Sequence, residues 1–259
     1  MNPSATTAPV AAPSRLLQLL ELRAGWELAA GVAALPWLRL APRGDGHPVL
    51  VLPGLVASDA STKLLRDFLT RHGYDAHGWG LGRNYGPRPG IEDAMLATLD
   101  KLHADSGRRV SLVGQSLGGV YARALAALRP DAVRCVVSLG SPITGHPRAS
   151  NAWRVYEFTS GQSAHNPHHQ QRIRQPLSVP ATSIYSRSDG VVAWQTSVGT
   201  EGPSAENIEV VSSHLGMGAH PAVLFAVADR LAQHEGEWQP FERRGWRAAV
   251  YPRARRSLA

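Results

Sequence analysis

Three residues in this 259-residue sequence have the types and order needed to build a nucleophile. Ser116 stands at the centre of Gly114-Gln115-Ser116-Leu117-Gly118, a Gly-x-Ser-x-Gly followed by Gly119. A serine hydroxyl is a weak nucleophile at neutral pH. It needs a base within hydrogen-bond reach, usually an imidazole, and the imidazole needs a carboxylate to fix its tautomer. Asp189, in Ser188-Asp189-Gly190, and His214, in Ser213-His214-Leu215-Gly216, follow in the order serine, acid, histidine. Together they could transfer an acyl group through a covalent serine intermediate.

The elements that must position these side chains are legible from hydrophobic pattern. Val110–Val113 reads as a buried strand entering the serine, and Val120–Arg129 as a helix leaving it, stopped by Pro130. A serine between strand and helix sits on a tight turn that presents its hydroxyl, and the flanking glycines give the room such a turn needs. Other strands are expected at His47–Gly54, Tyr74–Trp79, Val133–Leu139, Leu177–Ser186 and Asn207–Ser212. Helices are expected at Ser58–Arg71, Ile91–Ala104 and from Pro221 to about Gln233. This alternation gives an α/β fold: a mostly parallel central sheet flanked by helices, whose sites lie at the carboxyl ends of its strands. Asp189 and His214 both follow strands. Asp131 follows Pro130 at the wrong end, Asp59 reads as a first-turn helix residue, and His220 opens a helix at His-Pro.

Acyl transfer also needs two backbone N–H groups aimed at the developing oxyanion. Leu117, directly after the serine, supplies one. Leu55, in the Pro53-Gly54-Leu55 turn after the first core strand, supplies the other. No cofactor and no metal are required. His165, His168 and His169 form a cluster, but their spacing fits no ligand pattern and no carboxylate accompanies them. They fall in a polar, aromatic excursion at about 146–176, read as a small lid after the strand ending near Leu139.

The boundaries read as follows: an uncharged tail over 1–14, a helical segment over 15–46, the main domain over 47–235 with its lid, and a Trp/Arg-rich tail over 236–259. Net charge is +7, and all the basic residues except Lys63 and Lys101 are arginine. No basic run interleaved with aromatics marks a nucleic-acid site. The apolar stretch Leu28–Leu38 is too short to span a bilayer. With Trp26, Trp37 and leucine-rich faces, 15–40 suits either a helix docked on the body or peripheral membrane contact. Cys135, the single cysteine, excludes a disulfide within the chain and fits a reducing, cytoplasmic setting.

These segments together resemble the α/β-hydrolase superfamily, in its bacterial lipase/esterase-like branch. Gly114–Gly119 resembles the lipase elbow, and Val49–Leu55 the oxyanion strand and turn, with proline where a histidine is common. Ser138–Gly145 and Asn84–Pro87 resemble loops of the same branch, and Ser188–Val192 and Ser213–Met217 its acid and histidine loops. The resemblance implies hydrolysis of a small-molecule or lipid carboxylic ester through an acyl-enzyme. An acyltransferase, thioesterase or amidase would use the same triad. A non-catalytic binding protein of this fold would usually have lost a triad member, and none is lost here.

Overall fold

Four largely apolar runs and two more polar ones form a six-stranded, all-parallel sheet in the order β2-β1-β3-β4-β5-β6. The computed structural model describes residues 10–144, 149–161 and 175–253. The strands are β1 (Pro48–Leu52), β2 (Asp75–Gly78), β3 (Val110–Gln115), β4 (Val133–Leu139), β5 (Ala181–Ser186) and β6 (Ala205–Val210). Strands β1 and β5 are buried at every position, as expected of a parallel sheet covered on both faces.

Side-chain alternation along the strands divides the core in two. Val49, Val51, Val113, Val137 and Leu139 point to one face. There they meet α3 (Lys63–Arg71) and α7 (Pro221–Leu231) through Leu65, Phe68, Leu69, Val223, Leu224 and Val227. Leu50, Leu52, Leu112 and Val136 point to the other. There they meet α4 (Ile91–Ser106) and α5 (Leu117–Leu128) through Met95, Leu99, Val120, Tyr121 and Leu125. Continuous apolar strands therefore encode a three-layer sandwich, with helices on both sides.

The expected helix at Ser58–Arg71 starts late, at Lys63. Asp59 is not in its first turn. Its carboxylate instead accepts from the Trp79 and Gly80 amides at 3.0 Å each, tying the preceding turn to the end of β2. The 146–176 excursion carries an unforeseen helix, α6 (Trp153–Ser160). Asn151 N–H donates to Val191 O at 2.7 Å, and Arg88 donates to Thr159 O at 2.9 Å. The histidine cluster at 165–169 lies outside the described residues.

The segments flanking the sandwich both pack onto it. Helices α1 (Arg15–Leu20) and α2 (Ala24–Leu38), joined by a 3-10 turn at Glu21–Arg23, bury Glu21, Glu27, Gly31 and Leu38. Ser14 caps the start, accepting from Leu17 N–H at 3.4 Å. At the other terminus Tyr251 is buried, donates its hydroxyl to Ala222 O at 2.8 Å and meets Phe241 edge-on at 4.7 Å. Helix α8 (Arg247–Val250) precedes it.

Tyr251→Phe removes only the hydroxyl bond and should lower unfolding free energy by about 1 kcal/mol. Tyr251→Ala should cost roughly 3–5 kcal/mol. Urea titration of the two variants measures the difference.

Candidate active site

The backbone at Ser116 has φ 52° and ψ −121°, a left-handed conformation that a non-glycine residue seldom adopts. It follows from a close approach of β3 and α5. A Cβ on Gly114 would lie 2.2 Å from Gly118 O, and one on Gly118 would lie 2.1 Å from Leu52 O. Only glycine admits that contact, so the strand must reverse sharply at the residue between them. The Ser116 amide donates to Leu139 O at 2.8 Å, which continues the β3–β4 ladder into the turn. The serine side chain is partly exposed.

Asp189 and His214 come from loops after β5 and β6, and they meet. His214 Nδ1–H donates to Asp189 Oδ2 at 2.7 Å, with both side chains buried. Asp189 Oδ1 accepts the amides of Val191 and Val192 at 2.8 and 2.7 Å, which fixes the carboxylate's orientation. The pair lies over the end of β4: a Cβ on Gly140 would be 3.2 Å from both Asp189 Oδ2 and His214 Nδ1. Gly140 directly follows Leu139, the acceptor of the Ser116 amide. Gln115, beside the serine, donates its side-chain amide to His214 O at 2.9 Å. The carboxyl ends of β3, β4, β5 and β6 thus bring the elbow, the acid and the histidine to one edge of the sheet. Burial pulls the proton affinity of His214 down, but the Asp189 charge, their hydrogen bond and the Glu21 charge outweigh it and raise the pKa above 6.5.

The turn expected to present Leu55 also reaches this edge. A Cβ on Gly54 would lie 3.3 Å from Ser116 Cβ. Val56 has φ 55°, a strained value for a β-branched residue, and buried Asn84 holds it there. The Asn84 carbonyl accepts Val56 N–H at 2.6 Å, its amide donates to Ala57 O at 2.7 Å, and its side chain donates to Pro53 O at 2.9 Å. Sequence reasoning noticed the Asn84 loop but not its role as the staple of this turn. Leu117 opens α5, where a helix has amides without intrahelical acceptors.

A second serine–histidine–aspartate set lies at the opposite end of the sheet and was not foreseen. His47 Nδ1–H donates to Asp45 Oδ1 at 2.5 Å, and His47 Nε2 pairs with Ser111 Oγ at 2.8 Å. His47 and Ser111 are wholly buried. Ser111 sits within strand at the amino end of β3, beside a shift in the β3–β4 register, rather than on a strand-to-helix turn. Asp45 also accepts from Arg108 at 2.6 Å and Arg134 at 3.2 Å. Burial lowers the pKa of His47, with Arg134 and Arg108 adding to the effect against the pull of Asp45. This set ties strand starts together; Asp45 is its solvent-facing member, while His47 and Ser111 have no face open to a substrate.

The rival residues Asp131 and His220 lie elsewhere. Asp131 is exposed in the turn before β4. His220 caps α7, accepting from Ala222 N–H at 3.3 Å. Among the described residues no group of three or more His, Cys, Asp or Glu could hold a metal ion.

Residues 47–193 match the family described as alpha/beta hydrolase fold. Triacylglycerol lipases from Pseudarthrobacter phenanthrenivorans and Burkholderia plantarii are each 29% identical over 108 residues. That is 38% of this chain and 34% and 30% of theirs, so the match spans about a third of those relatives' length. Among solved structures, Aspergillus fumigatus lipase B superposes with a TM-score of 0.58 at 14% identity, over 74% of this chain and 53% of that one. An alpha/beta superfamily hydrolase from Oenococcus oeni superposes with a TM-score of 0.52 at 21% identity, over 71% and 91%. At such identities the structural likeness is one of fold.

The His214 ring should titrate above 6.5, and Asp189→Asn should bring it below that value, since burial then acts alone with only Glu21 opposing it. NMR titration of the ring protons reads this directly. Because the folded pKa is raised, the pair's stabilisation is fully present below the ordinary histidine pKa. It is lost as pH rises through the folded value.

Proposed function

This chain belongs to the alpha/beta hydrolase fold family, more than half of it matching, and from that premise we propose that it hydrolyses carboxylic esters through an acyl-enzyme formed on Ser116. The observation that carries the proposal is the 2.7 Å bond between His214 and Asp189, beside the positive-φ serine. With Nδ1–H committed to Asp189, Nε2 is the nitrogen left to accept the Ser116 proton as Oγ attacks the ester carbonyl. Asp189 holds that tautomer and stabilises the imidazolium. The amides of Leu55 and Leu117 receive the oxyanion. The imidazolium protonates the leaving alcohol, and His214 then activates a water that releases the acid. Each step uses only groups of this chain, the substrate and water.

Ser116→Ala should lower kcat on p-nitrophenyl esters by at least about 10³-fold while leaving Tm within a few degrees of wild type. A serine-directed phosphonate should add its mass to the peptide containing Ser116 and to no other. Wild-type hydrolysis by Ser116→Ala would end the assignment. Since neutral His214 is the base, kcat/KM should rise with pH along a limb whose apparent pKa exceeds 6.5. Asn84→Ala should reduce kcat by about 10-fold or more, through loss of the Leu55 turn rather than of the serine.

The proposed substrate surface is lipid. Along 15–43 the two acidic residues, Glu21 and Glu27, are buried, while Arg15, Arg39 and Arg43 are exposed. Leu22, Trp26, Trp37 and Leu40 are also turned outward, each more than three-quarters exposed. Apolar side chains interspersed with only positive charge suit an anionic bilayer interface. No helix among the described residues is long and apolar enough to cross a membrane. The protein should sediment with phosphatidylglycerol vesicles in a salt-sensitive manner and much less with phosphatidylcholine. The double variant Trp26→Ser, Trp37→Ser should lose that binding. Equal binding to both lipids, or no loss in the double variant, would remove this part of the reading.

A further inference from the structure

We infer that Glu21 and Glu27, on the N-terminal helical segment, are positioning residues that lock the acid and histidine loops into working register. The inference rests on the triad reading above and assigns a part in it to a segment outside the 47–193 family match. Glu21 Oε1 accepts the amide of Gly190 at 2.8 Å and that of His214 itself at 2.9 Å, while Oε2 accepts Leu215 N–H at 2.9 Å. One carboxylate therefore spans the residue after Asp189 and the backbone of His214. Glu27 takes the next residue back. It accepts Ser213 N–H at 2.8 and 3.1 Å, the Ser213 hydroxyl through a short bond, and the Ser212 hydroxyl at 3.3 Å. Arg23, between them, donates to Glu27 at 3.2 Å and to both Ser188 O and Ser188 Oγ at 2.8 Å. Ser188, Gly190, Ser212, Ser213, His214 and Leu215 are all held by three side chains within seven residues of the 3-10 turn and the start of α2.

Both carboxylates are only 7% exposed. A buried carboxylate is unfavourable unless donors converge on it, and here the donors come from the two loops that carry the acid and the base. The seat is close: a Cβ on Gly190 would lie 2.2 Å from Leu17 O, so the segment's backbone rests directly on the acid loop. Packing alone would be served by apolar residues, as it is at Leu38 on the same segment. The negative charge has a second effect, because Glu21 adds to Asp189 in favouring the protonated form of His214. That is the form the ring takes when it removes the serine proton.

The test uses the full chain and compares Glu21→Gln, Glu21→Asp, Glu27→Gln and a packing control, Leu38→Ala. Glu21→Gln should lower kcat on a p-nitrophenyl ester by about 10- to 100-fold with KM within about 2-fold, and move the acid limb of kcat/KM to lower pH. Glu21→Asp keeps the charge but shortens the reach. It should lower kcat while leaving the limb where wild type has it. Glu27→Gln should lower kcat with a smaller movement of the limb. Leu38→Ala should lower Tm without moving the limb. If Glu21→Gln does not fold, Glu21→Asp decides, since an unchanged kcat in that variant overturns the inference. Loss of Tm in Glu21→Gln with unchanged kcat and limb also overturns it. NMR titration of His214 in Glu21→Gln gives the same answer without activity, with a downward shift expected and an unshifted ring contradicting the inference. Failure of the hydrolase reading looks different: wild type would show no ester turnover, or Ser116→Ala would keep it.

Discussion

The bond from the Ser116 amide to Leu139 O, 2.8 Å long, is the constraint on which the rest of the site depends. It makes the turn residue the last rung of the β3–β4 ladder, so the strained φ is held by the sheet rather than by a loop. The next rung runs from Gly140 N–H to Ile184 O at 2.9 Å and carries the register into β5. Neighbouring parallel strands lie about 4.8 Å apart. Strands β3, β5 and β6, with β4 between the first two, therefore set out the serine, the carboxylate and the imidazole at nearly fixed spacing before any side chain is chosen. The loops adjust orientation within that frame, and they do so with many backbone bonds: two amides on Asp189 and three on Asn84 and its partners.

The carboxyl and amino edges of the sheet are both polar, but they solve different problems. At the amino edge Asp45 gathers His47, Arg108 and Arg134. The groups satisfy one another, and the histidine between aspartate and serine is sealed. At the carboxyl edge the same three residue types are spread over separate loops, with the serine partly open and on a turn. Side-chain chemistry alone does not separate the two sets. Strand direction and backbone conformation do.

Much of this was legible in the sequence because glycine and apolar runs report backbone requirements directly. The strand-turn-helix about Ser116 and the alternation of strands and helices follow from that, and Asp189 and His214, expected on loops after strands, do meet there. The start of α3 was misjudged because Asp59 and Ser58 look like helix-opening residues, while their turn is held by bonds to a strand end twenty residues away. The 15–40 stretch posed a choice between docking on the body and peripheral membrane contact; it packs on the body through Glu21, Glu27, Gly31 and Leu38, while its outward leucines and tryptophans stay exposed. Nothing in the local pattern of Glu21 and Glu27 distinguishes them from surface glutamates, because their donors are backbone amides roughly 170–195 residues away. The Asp45 set escaped for the same reason: His47 and Ser111 are 64 residues apart.

Those long separations bear on how the molecule comes into being. The helical segment at 15–38 is synthesised well before the loops whose amides its carboxylates accept. At about 5–20 residues per second on a ribosome, Glu21 waits roughly 10–40 s for the His214 loop to emerge. Through that interval the two carboxylates lack their loop amides, and Arg23 is the neighbour within reach of Glu27. Contacts of such high order are the slow ones in folding. The hold of Glu21 and Glu27 on the Asp189 and His214 loops is thus a late event, formed across nearly two hundred residues of intervening chain.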